Sequence, residues 1–549
     1  MLNVADHTLT TEMADDPRDR FFDTDHLDEE IEGRAARGGR IIAITQVLRS
    51  LLDVASTLIL VRVLAPNDWG LVGMVSAIIG FVALFKDLGL TTATIQRPTI
   101  THRQVTALMW INVAFSVVLG GLVIALAPAL AWFYEEPQLV MITVALSSVF
   151  FVSGFGAQHH AILRRQMRFG TVSLIDAVSL SVGMLVAVAA AFAGVGFWAL
   201  VLKRIVTASL TTIFVWIGCK WRPSAPRREK GLRELVAVGA NVTGFSLINY
   251  FARNLDDVLI GRFDGATAAD RAETLGNYQK AYELLMLPLQ QLNKPVSAVA
   301  LPALSRLHGQ PERYRAVYLR IMRLVLMVTM PLTAFLVMTA GPLVEVVFGA
   351  QWLEAVPIFE VLGLAAVTQP LGNSAGWLFI SQDRTAELLR WGVVGASLAV
   401  LSFVVGLPWG AYGIAASYAL SGIFVRTPIL LWWLGRRGPV TMADFYVVSA
   451  PYLVSGLCAA GALYGLRFVG IDNAYAMLVV SAIVGIVVAI LPLLFSAQGR
   501  SSLADARQVV STRLGKSNEK ALPALVADEG GEPDDRDEVT AEPAGEDET

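Results

Sequence analysis

Apolar residues come along this chain in blocks of about twenty, each closed off by a short polar segment. A helix of roughly 20 apolar residues spans a bilayer core of about 30 Å, so every such block is a candidate membrane span. Fourteen can be drawn, near 40–64, 69–90, 106–128, 138–157, 171–193, 196–217, 234–255, 279–302, 320–340, 356–380, 388–407, 410–434, 445–466 and 474–495. Gly and Ala are frequent within them, as in helices that pack closely in lipid. Alternation at period two, the mark of a transmembrane barrel strand, is missing. The pattern predicts an all-α polytopic membrane protein.

Composition sharpens this picture. Hydrophobic residues make up 55% of the 549 and charged residues only 16%, where ordinary globular chains carry about a quarter. Mean hydropathy is +0.57. The net charge of −3 hides a split: acidic residues crowd both ends, while the interior connections are basic. That distribution argues against a nucleic-acid partner, which needs one coherent basic patch. Two cysteines, Cys219 and Cys458, are too few for a disulfide framework or a cysteine metal site. The first 30 residues are acidic and lack the apolar core of a cleavable signal peptide.

Orientation follows from Lys and Arg in the short connections. Connections after even-numbered spans carry twenty, and those after odd-numbered spans at most five, counting Arg62, Arg262, Arg271, Lys280 and Arg467. The even connections and both termini are therefore expected in the cytosol, in a multi-pass cytoplasmic-membrane protein. Outer connections are short: the longest is expected over 256–278, and ALAWFYEEP at 129–137 has the aromatic cluster of a lipid–water boundary. The tails, 1–38 and 497–549, have the composition of disordered segments.

The chain also repeats itself. Shifted by 200 positions, Arg62 falls on Arg262 and Leu58–Leu60 on Val258–Ile260; after a six-residue insertion Gly70 falls on Gly276. Six spans separate the copies, so both run in the same direction. The expected organisation is an N-lobe of helices 1–6 over 39–217, a basic linker over 218–233, and a C-lobe of helices 7–12 over 234–435. Helices 13–14 follow over 436–496. Parallel repeats of this kind bracket a central site in secondary transporters.

Polar residues inside the spans need a reason, because each charge at a helix centre costs roughly 2.5–3.5 kcal/mol. Gln46, Arg49, Asp53 and Ser56 share one helix face in span one. Ser246, Asn249, Arg253 and Asp256 repeat the spacing in span seven. Both stripes lining a shared wet cavity is one reading; the other is that Arg49 and Asp53, four apart, neutralise each other in a packed bundle. Span eight adds Gln290, Gln291, Asn293 and Lys294 before Pro295, a helix-kinking residue. Lys203 and Arg204 lie in span six and Arg426 in span twelve, with Asp176 in span five placed to answer one of them. Arg62 and Arg262 lie where snorkelling to the interface is expected.

Catalytic signals are scarce. There is no GxxxxGK[ST] phosphate loop. His159 and His160 are adjacent, so they point to different helix faces and make a poor metal pair. Asp256 and Asp257 have no folded outer domain to present a substrate for acid–base chemistry. A transporter, not an enzyme, is expected.

Six strings, LVRVLAPNDWGLVGM, FKDLGL, GAQHHAILRRQMRF, NLDDVLIGRF, LGNYQKAYELLMLPLQ and PALSRLHGQPERYRAVYLR, carry a family likeness. Over roughly 36–496 the chain resembles the polysaccharide transport (Wzx-type oligosaccharide flippase) branch of the multidrug/oligosaccharidyl-lipid/polysaccharide exporter superfamily. The resemblance implies two six-helix lobes around a central cavity and two extra C-terminal helices. It implies an oligosaccharide on a polyprenyl pyrophosphate as substrate, flipped by alternating access for surface polysaccharide synthesis, with a polymerase and glycosyltransferases as partners. On that footing Arg49, Arg253 and Lys294 would meet phosphate or charged sugar, with Lys203, Arg204 and Arg426 in reserve. Gln46, Asn249, Gln290 and Asn293 would line the sugar site, while Asp53 and Asp256 would balance charge or take a coupling H+ or Na+. No cofactor is implied. Rival readings are a drug or metabolite antiporter of the same fold, a lipid II flippase, and a glycan ligase, which would need a large outer loop. ATAADRAET, ahead of Gly276, and the long acidic tails depart from the family pattern.

Overall fold

The computed structural model describes residues 19–22, 49–86, 90–97, 99–225, 250 and 253–515. Gln46, Asn249, Ser246 and most of predicted spans one and seven lie outside the described residues, so helix α1 is seen over 49–63 and α8 over 253–263. Between them run α2 (Pro66–Ala83), α3 (Leu90–Gln96), α4 (His102–Tyr134), α5 (Gln138–Arg165), α6 (Phe169–Phe192) and α7 (Trp198–Cys219). After α8 come α9 (Ala268–Arg306), α10 (Pro311–Met338), α11 (Ala340–Val347), α12 (Ala355–Ala366), α13 (Gln369–Ser381) and α14 (Thr385–Gly406). The chain closes with α15 (Gly410–Ser421), α16 (Thr427–Gly435), α17 (Met442–Leu466), α18 (Ala474–Phe495) and α19 (Ala497–Gly515). No strand occurs among the described residues.

Among the described residues, ten helical stretches are long and apolar enough to cross a membrane; one of them, Thr385–Gly435, holds two of the predicted spans, folded back on each other at Leu407–Trp409. Helix α9 runs 39 residues, about 58 Å at 1.5 Å per residue, straight through Pro288, Pro295 and Pro302. It is too polar to register as a span on hydropathy. Helix starts follow local chemistry: Thr101 with Gln104, Thr267 with Asp270, and Thr441 with Asp444 form reciprocal caps at α4, α9 and α17.

Three expectations are corrected. The long connection over 256–278 is only 264–267: its first part belongs to α8, and the Thr267 cap and the good helix formers of AADRAET wind 268–278 into α9. Residues 497–515, expected as tail, form α19, which packs on α18 and α10; Tyr452 pairs with Ser502 at 2.6 Å, and Arg320 with Asp505 at 2.7 Å. Residues 19–22, expected within a disordered tail, make one turn against the N-terminal helices. The Phe22 ring is buried, and Asp19 accepts the His102 main-chain N–H at 2.6 Å.

The packing falls into two sets. Helices α4 to α7 pack on one another, as do α9, α10 and α12 to α15, with α17 and α18 laid on α10. Helices α2 and α9 form the main seam between the sets. A Cβ at Gly70 would strike the main-chain carbonyl of Ala272, and one at Gly276 the carbonyl of Pro66. Ala272 precedes Gly276 as Pro66 precedes Gly70, by four residues. Equivalent positions thus contact each other reciprocally, as two copies related by a two-fold axis along the bundle must. Only glycine lets the two backbones come this near.

Candidate functional site

A cavity of about 1250 Å³ lies beside α9. Tyr278, Tyr282, Met286, Leu289, Gln290, Asn293 and Lys294 line it from α9, at steps of three, four and one that keep to one helical face. Arg253, Asp256 and Asp257 face it from α8, and Thr368, Gln369 and Asn373 from the start of α13 and the residue before it. Helix α14 contributes Gly392, Gly395, Ala396 and Ala399, and these small side chains leave the width. Arg426 enters from the π-helical turn Gly422–Arg426 between α15 and α16. Such turns rotate the helix register locally and recur at functional sites.

Six predicted residues, Arg253, Asp256, Gln290, Asn293, Lys294 and Arg426, therefore share one chamber. The chamber is divided lengthwise. Asp256, Asp257 and Glu283 occupy the end towards the Arg-poor connections. There the Tyr278 hydroxyl donates to Asp256 at 2.8 Å, Gln279 lines the wall with Asp257, and Glu283 holds Lys280 at 2.5 Å. Lys294 stands eleven residues beyond Glu283 along α9, about 17 Å away. It has no acidic partner among the described residues. Arg426 lies over the Tyr418 ring at 3.9 Å and donates to the Tyr418 carbonyl at 2.8 Å. Three cations, Arg253, Lys294 and Arg426, thus share the chamber with three acids, of which only Asp256 was expected to balance charge, and with tyrosines that the sequence pattern did not single out.

The remaining candidates sit elsewhere. Arg49 pairs with Asp176 at 3.6 Å, which also meets His160 at 3.6 Å. Asp53 pairs with Lys203 at 3.3 Å. Arg49 and Asp53 therefore do not answer each other, because the partners brought in by α6 and α7 approach from the side to which they point. Lys280, counted at the sequence level with an outer connection, is buried three turns into α9. Its ammonium lies 3.4 Å from the centre of the Trp69 ring, within electrostatic range of Lys203 and Asp53. Arg204 lies within range of Tyr250.

At the Arg-poor end the two sets are tied together. Glu135, left-handed at the end of α4, accepts from Arg262 at 2.9 Å and Arg271 at 3.0 Å. Arg271 also donates to the Tyr134 carbonyl at 3.1 Å. Gln351 donates to the carbonyls of Val61 and Leu64 at 2.9 and 3.2 Å, and Trp352 to Val61 at 2.8 Å. Arg62 donates to the carbonyls of Val346 and Val347. Arg62 and Arg262, expected to snorkel, instead close this end. In the other direction the cavity runs on to Leu84, Trp391 and Leu430, within two turns of the Arg-rich ends of α2, α14 and α16.

The family described as "Polysaccharide biosynthesis protein" matches residues 59–357. The chain is 29% identical over 390 residues to the teichuronic acid biosynthesis protein TuaB of Bacillus subtilis, covering 69% of this chain and 79% of that one. It is 25% identical over 390 residues to the lipopolysaccharide biosynthesis protein WzxC of Escherichia coli, covering 70% and 77%. The lipid II flippase MurJ in an inward closed conformation has the same fold, with TM-score 0.64 at 12% identity over 82% of this chain and 97% of that one.

Proposed function

Because the chain belongs to the polysaccharide biosynthesis protein family, we propose that it carries a polyprenyl-pyrophosphate-linked oligosaccharide across the cytoplasmic membrane for surface polysaccharide synthesis. Its termini and Arg-rich end face the cytosol. Glycosyltransferases supply the substrate and a polymerase consumes it. The chain acts as a transporter rather than an enzyme.

A pyrophosphate taken bare into hydrocarbon costs tens of kcal/mol, and a glycan adds every hydroxyl left without a partner. A carrier lowers that barrier only by offering cations and hydrogen-bonding groups in exchange for water. The observation that carries this reading is one 1250 Å³ chamber holding Arg253, Lys294 and Arg426 together with Gln290, Asn293, Gln369 and Asn373. Guanidinium groups bind phosphate through paired donors; the amides suit sugar hydroxyls. Closed by Glu135 and its partners at one end and reaching towards the Arg-rich end, the chamber has the shape that receives substrate from the cytosolic leaflet. Rocking of the two sets about the α2–α9 seam then exposes it to the other side. Asp256 is placed to take a coupling H+ or Na+.

A drug antiporter of similar fold would present an aromatic and apolar chamber with little call for three cations. The test is genetic. Cells lacking the gene accumulate a lipid-linked glycan on the cytosolic side, and Arg253→Ala, Lys294→Ala and Arg426→Ala fail to restore export while reaching the membrane at wild-type levels. Wild-type export by all three variants overturns the assignment.

A further inference from the structure

A second cavity, of about 280 Å³, adjoins the polar chamber on the far side of α9. Its walls are Leu292, Val296 and Val299 of α9 and Ile321, Val325 and Val328 of α10. The spacings, four then three on α9 and four then three on α10, keep each set on one face. Helix α9 is therefore a partition: Gln290 and Lys294 look into the chamber, while Leu292, Val296 and Val299 look into this groove. The one charged group at its edge, Arg320, is held by Asp505 through Nε at 3.1 Å and a terminal nitrogen at 2.7 Å. Leu292, Val299 and Val328 are all more than a third exposed, so the groove is open along one side, and its apolar lining suits hydrocarbon.

Leu289, Asn293, Gln369 and Asn373 line both spaces. The polar chamber and the apolar groove are thus continuous around the edge of α9. The groove lies in the half of the bundle towards its Arg-rich end, beside the Asn293 end of the chamber, since 292–303 are the last turns of α9 and 317–328 the first of α10.

We propose that this groove seats the polyprenyl chain of the substrate while its pyrophosphate and glycan occupy the chamber, with the junction at Asn293, Gln369 and Asn373. This rests on the reading of a lipid-linked substrate given above. A bulk phospholipid keeps its head group at the interface; only a lipid whose head is drawn deep beside α9 threads its chain through a groove that begins at the chamber wall. Burial of chain in the groove, at about 0.8 kcal/mol per methylene, only replaces burial already enjoyed in lipid. The groove's work is therefore to let the chain stay in hydrocarbon while the head leaves it, and not to add affinity.

The test uses the full chain in nanodiscs of phosphatidylethanolamine and phosphatidylglycerol, with a photo-reactive amino acid placed at Val299, at Val328, and at Ile483 as a lipid-facing control. Undecaprenyl pyrophosphate is added at a few per cent of total lipid. The expected result is that prenyl adducts at Val299 and Val328 exceed their share of total lipid about tenfold, while Ile483 labels in proportion. Proportional labelling at all three positions overturns the groove. Enriched prenyl adducts in a protein whose gene can be deleted without any lipid-linked glycan accumulating uphold the groove and remove the glycan reading. Proportional labelling alongside accumulated lipid-linked glycan in the deletion strain does the reverse.

Discussion

Glu135 holds two arginines from the other helix set, and replacing it by glutamine tests whether those contacts keep the Arg-poor end shut. The Glu135 side chain is 55% exposed, while Arg262 is 28% and Arg271 only 7% exposed. An exposed ion pair contributes about 0.2–1 kcal/mol, and losing one partner of a fully buried pair costs about 3–5 kcal/mol. The Arg262 contact belongs near the first range. The Arg271 contact falls between the two, because its guanidinium keeps the Tyr134 carbonyl when the carboxylate is gone. Together they give about 2 kcal/mol, close to a 30-fold fall in the ratio of closed to open protein at 1.4 kcal/mol per tenfold. A readout proportional to the open fraction registers this even when the open form is rare. Met74 is wholly buried and touches Gly261 across the seam. In a chain freed of Cys219 and Cys458, Met74→Cys therefore reacts with a polar maleimide only on opening. Glu135→Gln should raise the labelling rate about 30-fold, and Leu108→Cys, buried within the first set, should stay unreactive in both backgrounds. A change below twofold at Met74→Cys, with Leu108→Cys silent, refutes the latch.

The glycine crossing makes a harsher prediction. Gly276→Leu drives a side chain into the Pro66 carbonyl, so the Arg-poor end cannot close; maleimide labelling should exceed that of Glu135→Gln and export should be lost, and full export by this variant would refute the seam. The cations should also rank. Arg49 already has Asp176 at 3.6 Å and lies apart from the chamber, so Arg49→Ala should lower export at least tenfold less than Arg253→Ala in the same complementation assay, and an equal loss would show that the first stripe reaches the substrate too.

The sequence carried the fold because lipid imposes a simple rule: a span facing hydrocarbon must be apolar along its whole length. The rule fails where a helix faces another helix or water instead, and α9 is that case. AADRAETLGNYQK reads as loop on hydropathy, yet Thr267 caps it, Gly276 buries against Pro66, and Tyr278 and Gln279 face the chamber. The glycine matched to Gly70 was visible; that it sat within one continuous helix starting at Thr267 was not. Partner choice was equally hidden. Arg49 and Asp53 stand at a spacing that invites an intrahelical pair, but periodicity describes one helix and says nothing of what α6 and α7 bring alongside.

Those long-range partners make the two halves chemically unequal despite their reciprocal seam. In the first half Asp53 is taken by Lys203 and Arg49 by Asp176, so a ligand reaching either cation must first displace a carboxylate. In the second half Lys294 stands free of acids among the described residues, and Arg426 rests on an aromatic face and a carbonyl, which leaves its charge uncancelled. An anionic head group therefore gains more by binding to one wall of the cavity than by bridging both. A ligand held by one half alone travels with that half, and the bonds that must break during transport are then those of the seam and of the Glu135 latch, not those to the substrate.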